Sequence, residues 1–135
     1  MTVFFLLLVL AQDSDCRSCE VLSGMASALS ENNSTRFMDF IDRSAPDRSG
    51  LQTNVDALTS QNQITCSIDV LEEKGDDEQL NALVDWYIVI RPNQASAATE
   101  RRRMRVHLTE KKRKRDWKVT DIEPRSILAP LILAP

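Results

Sequence analysis

The fold is decided by a run in the second half of the chain, LNALVDWYIVIR, residues 80–91. Its even positions are all apolar, and its odd positions mix apolar side chains with polar ones such as Asp85 and Tyr87. This repeat is typical of a β-strand, because successive side chains of a strand point to opposite faces of the sheet. A strand this apolar is covered fully on one face and partly on the other. We therefore predict a central strand here.

Three further segments follow the same two-residue pattern. They are ITCSIDV at residues 64–70, RRRMRVHLT at 101–109, and a segment that begins with WKVT at 117 and runs to about residue 122. Turn-like segments separate the strands: an acidic one from Glu72 to Gln79, one from Pro92 to Ala98, and the basic run Lys111–Arg115. Short connections of this kind join antiparallel neighbours. The pattern predicts a four-stranded antiparallel meander.

Helical spacing precedes the meander. Apolar positions from Glu20 to Arg43 predict one long helix with a weak polar middle at residues 31–35, although Ser34 could instead cap a separate helix. Leu51, Val55 and Leu58 mark a further helix. The predicted fold class is α+β, with N-terminal helices packed on a curved four-stranded antiparallel sheet in a single domain, residues 12–128.

The two ends of the chain are apolar. The run VFFLLLVLA at residues 3–11 is too short for a bilayer and resembles the core of a secretory signal peptide, which we assign to residues 1–11. This predicts an exported, periplasmic or extracellular protein with no transmembrane segment in the mature chain. Residues 129–135 form an apolar C-terminal tail that is also too short to cross a membrane.

Three cysteines fit an oxidising compartment: Cys16, Cys19 and Cys66. We expect one disulfide and one free thiol, and both Cys16–Cys19 and Cys19–Cys66 are open pairings. A redox-active dithiol would need an electropositive setting, but the flanking residues are acidic. Three thiols alone cannot build a four-ligand zinc site. We expect no metal and no cofactor.

Three segments carry a resemblance to a known family: FMDFI at residues 37–41, DWYIV at 85–89 and WKVTDIEP at 117–124. With the order of elements, they resemble the cone-shaped nuclear transport factor 2-like superfamily, which includes ketosteroid isomerase, scytalone dehydratase and polyketide-cyclase-like proteins. The resemblance covers roughly residues 18–128. It implies that an enzyme of this kind would carry carboxylates, Tyr or His inside the cone.

The predicted interior lacks such groups. Alternation turns only apolar side chains inward from the four strands, so we predict no catalytic residue and doubt that the protein is an enzyme. Acids from the helices, Asp39, Asp42 or Asp56, would have to turn inward for a pocket enzyme acting on an apolar small molecule. The residues expected to line an apolar pocket or core are Ile68, Val84, Trp86, Ile88, Val106, Leu108 and Trp117.

The outer face of the predicted sheet is mixed in character. Cross-strand pairs of Asp69 or Asp85 with Arg103 or Arg105 would each stabilise it by roughly 0.2–1 kcal/mol, and His107 is expected to be a surface residue. The candidate interface for a homodimer consists of Leu83, Asp85, Tyr87 and Val89.

The basic run offers a candidate polyanion patch, made of Lys111, Lys112, Arg113, Lys114 and Arg115. Nucleic acid is a poor candidate partner, because base stacking needs aromatic residues in the patch and only Trp117 is close. In an up-down meander this run and the acidic segment lie at one end of the sheet, which favours solvated or mutually neutralising loops. The sequence thus predicts a binding or structural protein, with a pocket enzyme and a polyanion-binding module as alternatives.

Overall fold

Three helices precede a four-stranded antiparallel sheet in the computed structural model, which describes residues 16–131. Its strands follow one another in the order β1-β2-β3-β4, so the predicted α+β fold with a meander is confirmed. No helix among the described residues is long and apolar enough to cross a membrane. The predicted signal peptide and the last four residues of the tail lie outside the described residues. The elements are α1 Cys19–Ser30, α2 Ser34–Asp39, α3 Arg48–Gln61, β1 Asn62–Gly75, β2 Gln79–Pro92, β3 Glu100–Arg113, β4 Asp116–Glu123 and a 3-10 helix Arg125–Leu128.

The predicted long helix is wrong, because the chain turns between α1 and α2. Asn32 has a φ of 57°, the left-handed conformation that Asn tolerates better than most residues. Asn33 then caps α2 by accepting a hydrogen bond from the backbone N–H of Arg36 at 3.0 Å. The side-chain nitrogen of Asn32 donates to the carbonyl oxygens of Thr59 (2.6 Å) and Asn62 (2.5 Å). This turn therefore fixes α1 and α2 against the end of α3.

The core lies between the helices and one face of the sheet, which we call the inner face. Val84, Trp86, Ile88 and Ile90 of β2 are 0% exposed, as the alternation predicts. The helices contribute Met25, Leu29, Phe37, Val55 and Leu58 to the same cluster. The opposite side, which we call the outer face, carries the alternate residues of β1, β2 and β3, most of which are exposed or half-buried.

Two predicted turns are largely strand. β1 continues to Gly75 and β3 continues to Arg113, so the acidic turn is reduced to residues 76–78 and the basic turn to residues 114–115. Both turns lie at the same end of the sheet, which we call the hairpin end. There the backbone N–H of Lys112 donates to the carbonyl oxygen of Glu78 at 2.9 Å. The neighbourhood predicted for the two segments is therefore correct, although their conformation is not.

Two irregularities shift the alternation near the hairpin end. In β1 an extra residue, Leu71, separates Val70 from Glu72, so that Glu73 pairs with Ala82 and shares the inner face with it. The second irregularity lies in β4, where the extra residue Thr120 makes Thr109 pair with Asp121 and Glu110 with Val119. The alternation of β3 itself is unbroken and turns Glu110 to the inner face. Glu110 is 0% exposed. The prediction that the inner face carries no acid or base is therefore wrong.

Candidate functional site

The unusual group of the inner face is the carboxyl of Glu110. It lies in β3 opposite Leu80 on one side and Val119 on the other, among apolar residues. Neither of its oxygens has a hydrogen-bond partner among residues 16–131. Burial, together with the smaller effect of the negative charge of Glu73, raises the pKa of Glu110 to about 7. Such a carboxyl group can hold or release a proton near neutral pH.

Glu73 is held in the opposite state, as a carboxylate. The backbone N–H groups of Arg17 and Ser18 each donate to it at 3.0 Å, and the Ser18 hydroxyl donates at 2.5 Å. Burial raises the pKa of Glu73, but the hydrogen bonds from Ser18 and Arg17 outweigh that effect and hold the pKa below its usual value. The inner face thus has one charged and one orphaned carboxyl group at the hairpin end.

A cleft of about 280 Å³ opens at this end between α1, the residues after α2 and the β3–β4 turn. It has aromatic walls from Phe40 and Trp117, together with charged side chains of both signs. Glu110 does not belong to its lining. The acid is therefore closed off from this cleft.

The residues predicted to line a pocket or core lie in the packed interior. Val84, Trp86, Ile88, Val106 and Leu108 are at most 1% exposed. Ile68 and Trp117 are partly buried and pack against the same cluster.

The cysteines divide into a disulfide and a thiol. Cys16 and Cys19 form the disulfide, with their Cα atoms 5.5 Å apart. Cys66 is free, and its sulfur accepts a hydrogen bond from Trp86 Nε1 at 3.1 Å. Burial raises the pKa of the Cys66 thiol to about 12, so this group stays protonated and unreactive at neutral pH.

The acids proposed for a pocket enzyme do not meet on the inner face. Asp39 and Asp56 are largely solvent-accessible, while Asp42 is buried against Arg113, with 3.0 Å between Arg113 Nε and Asp42 Oδ1. The hydrogen bond from Arg113 holds the pKa of Asp42 well below its usual range. His107 is exposed. No group of three or more His, Cys, Asp or Glu residues suited to a metal ion occurs in the described part of the chain.

On the outer face, Leu83, Asp85 and Tyr87 are half-buried and Val89 is buried. Arg103 Nη2 lies 2.7 Å from Asp85 Oδ2, which confirms the predicted cross-strand ion pair. Of the predicted polyanion patch, Lys111, Lys112 and Arg113 line one depression beside the first hairpin turn, together with Asp76 and Glu78. Arg113 pairs with Asp42, and Lys112 Nζ lies 5.8 Å from the centre of the Trp117 ring. Among residues 16–131, no ion pair joins this run to the acidic residues of the first hairpin.

Sequence reasoning missed Glu110, Glu73 and Ser18. The signal for Glu110 was present, because it continues the inward series of Val106 and Leu108 by one step. The predicted strand nevertheless ended at Thr109, because the run of charged residues that follows is typical of a loop. Glu73 could not be found by alternation, because Leu71 reverses the parity of the strand.

Comparison with known proteins yields relatives in structure only. No protein-family model matches the sequence, and no curated protein matches it. A conserved protein from Planctomyces limnophilus is 11% identical, with a TM-score of 0.70 over 83% of this chain and 93% of that one. A nuclear transport factor 2-like superfamily protein from Salmonella enterica serovar Typhimurium is 12% identical, with a TM-score of 0.63 over 76% and 83% of the two chains.

A protein of unknown function from Mycobacterium tuberculosis is 10% identical, with a TM-score of 0.63 over 76% of this chain and 69% of that one. At such identities the likeness concerns the fold and not the chemistry. The order of the helices and of the four strands agrees with this likeness in fold. The chain therefore has the nuclear transport factor 2-like fold.

Proposed function

We propose that this chain is an exported protein of binding or structural type that forms a homodimer through the outer face of its sheet. A filled inner face supports this proposal, because a small-molecule site needs an open cavity. The outer face is the surface that the described helices leave uncovered. A face of this kind that carries apolar residues is a common site of protein association.

The observation that carries the proposal is the arrangement of side chains across the outer face. The central strand β2 supplies Leu83, Tyr87 and Val89. On one side β1 supplies acids, of which Asp69 is exposed; on the other side β3 supplies the exposed Arg101, Arg103, Arg105 and His107. Asp85 also lies in this central strand, where Arg103 pairs with it, so the face is a largely apolar strand flanked by opposite charges. A second copy of the same face, suitably turned, is its electrostatic complement.

The size of the face also suits a dimer. Three of its strands have 14 residues each. With about 3.4 Å per residue and about 4.8 Å between strands, it approaches the roughly 800 Å² per partner that stable interfaces bury.

Sedimentation velocity over a micromolar concentration range tests the dimer. We expect the wild-type chain to sediment as a dimer and Tyr87→Lys to shift it to monomer, because the substitution places a charge in the apolar centre. Ser23→Lys is the matched control, since Ser23 is exposed on α1 and away from the sheet face. A wild-type protein that remains monomeric throughout this range would overturn the proposal.

Export is supported by the apolar run at residues 3–11 and by the Cys16–Cys19 disulfide. Disulfides persist mainly in oxidising compartments. Mass spectrometry of the secreted protein tests this part of the proposal: a mature chain that starts at residue 12 supports export, whereas an intracellular chain that retains residues 1–11 contradicts it.

Glu110 favours a second candidate function, a pocket enzyme acting on an apolar small molecule. Its carboxyl group is protonated up to about neutral pH and faces the interior, where a general acid of such an enzyme would lie. This function requires the inner face to open. A screen of small apolar compounds by ligand-observed NMR tests binding, and a turnover assay of any compound that binds tests the acid, because Glu110→Gln should lose turnover while keeping binding.

A further inference from the structure

We propose that the Cys16–Cys19 disulfide loop is a redox-sensitive clasp that holds Glu73 and thereby keeps Glu110 sealed from water. The clasp consists of Arg17 and Ser18, the two residues inside the disulfide ring, and of the Glu73 carboxylate that they bind. It joins the start of α1 to the end of β1.

Both the backbone and the side chains of the disulfide loop bind the first hairpin. A ring closed by residues three apart restrains the backbone, so the N–H groups of Arg17 and Ser18 converge on the same carboxylate. The Arg17 side chain extends the contact to the neighbouring turn, where Nη1 lies 2.9 Å from the Asp76 carbonyl oxygen and 2.9 Å from Asp77 Oδ1. Five hydrogen bonds thus connect a two-residue loop to the first hairpin.

The carboxylate bound by the clasp lies on the same sheet face as the buried acid. Ser18 is 0% exposed, and Glu73 and Glu110 share the inner face through their pairing with Ala82 and Leu80 of β2. Once released, the Glu73 carboxylate would turn into solvent, away from Glu110, and water would reach the buried acid. Both changes favour the ionised form of Glu110.

The other residues around Glu110 are apolar, exposed or already paired, so they do not set its ionisation in place of Glu73. In β2 and β4 the residues in register are the apolar Leu80 and Val119. Lys112, on β3 itself, lies by the Trp117 ring and is exposed. Of the charged groups on the remaining elements, Glu20 of α1 is exposed, and Asp42 after α2 is paired with Arg113.

The disulfide is open to a reductant, since Cys19 is exposed and Cys16 is half-buried. A dithiol attacks one sulfur as a thiolate, and the S–S bond breaks to give a mixed disulfide and one protein thiol. The second thiol of the reductant then attacks the mixed disulfide and releases the other protein thiol. Two electrons and two protons pass to Cys16 and Cys19, which become thiols, while the dithiol becomes a disulfide. Cys66 takes no part, because it is already a free thiol.

The test is an NMR titration of glutamate side-chain carbons, with Glu110→Gln used to assign the Glu110 signal. In oxidised protein we expect the Glu110 midpoint near 7. On reduction with dithiothreitol we expect it to fall by about one pH unit or more toward the ordinary value. Hydrogen exchange of the amides around Glu73 should accelerate in the same sample.

Two variants keep the test decisive. The double variant Cys16→Ser/Cys19→Ser should show the lowered midpoint without reductant and should not respond to it. Ser18→Ala, in oxidised protein, removes one donor of the clasp and should lower the midpoint part of the way, even if the reduced chain proves too unstable to study. An unchanged Glu110 midpoint and unchanged exchange in both reduced protein and Ser18→Ala would overturn the proposal.

Discussion

Glu110 occupies an energetically unusual position for a single residue. A buried carboxyl group with no hydrogen-bond partner is costly to ionise, and natural proteins contain few such groups. Its position cannot be attributed to a structural ion pair, unlike that of Asp42, whose carboxylate is bound by Arg113. The residue therefore makes the stability of the whole chain depend on pH.

Replacement of Glu110 by Gln should change that dependence. The folded-state pKa of Glu110 is raised from 4.5 to about 7, so its stabilising effect is complete below pH 4.5 and is lost as the pH rises to about 7. The difference in unfolding free energy between wild type and Glu110→Gln should therefore move by about 3 kcal/mol in favour of the variant between pH 4 and pH 8. Urea denaturation at a series of pH values measures it.

Glu78→Gln serves as the control for this experiment, because Glu78 is an exposed glutamate of the first hairpin turn. It removes the same side-chain charge at an exposed position and so provides the reference for the pH series. A Glu110→Gln variant whose difference from wild type does not change between pH 4 and pH 8 would show that Glu110 ionises freely in the folded protein.

At the scale of elements, strands were predicted correctly where their side chains alternate regularly. The prediction failed where a bulge or a run of charged residues interrupts that alternation within a strand. β2 was predicted within one residue at each end, because the alternation of residues 80–91 has no competing interpretation. The ends of β1 and β3 were missed because their residues are charged. The Leu71 bulge has no marker in the sequence, so the inward turn of Glu73 was not predictable.

The helix prediction failed for a different reason. A polar segment between two apolar periodic segments is compatible with a continuous helix, and only the contacts of Asn32 with α3 decide for a turn. These contacts are long-range, and sequence periodicity does not report them. Substitutions in the turn between α1 and α2 therefore test how much these contacts stabilise the packing of the helices.

Substitution of Asn32 should weaken this junction. Asn32→Gly keeps the freedom to adopt a positive φ but loses both hydrogen bonds, and we expect it to destabilise the fold by about 1–3 kcal/mol. Asn32→Ala loses the same bonds and adds about 1 kcal/mol of backbone strain. Thermal and urea denaturation of both variants measure the two contributions separately.

Glu31→Ala is the neighbouring control, because it removes only a surface ion pair with Arg36. Its effect should stay within about 0.5 kcal/mol. Equal stability of Asn32→Gly and wild type would mean that the junction is held by apolar packing alone.

For the whole molecule, the charge pattern of the outer face restricts how two copies can meet. In the sheet register Asp69 lies in one row with Asp85 and Arg105. A two-fold axis along β2 places Asp69 of one copy opposite Arg105 of the other. An axis across the strands places β1 against β1 and β3 against β3, so that like charges meet. Asp85 lies close to the axis in the first arrangement, where its bond to Arg103 neutralises it.

Charge reversal at Asp69 and Arg105 distinguishes these arrangements. With the axis along β2, Asp69→Arg and Arg105→Asp should each weaken the proposed homodimer by on the order of tenfold, because each creates like-charge contacts at two symmetric places. An equimolar mixture of the two single variants should recover wild-type affinity, since every contact in the mixed dimer is again between opposite charges. With the axis across the strands, the single variants would match wild type and the mixture would bind more tightly. Sedimentation equilibrium of the variants and their mixture decides between the arrangements.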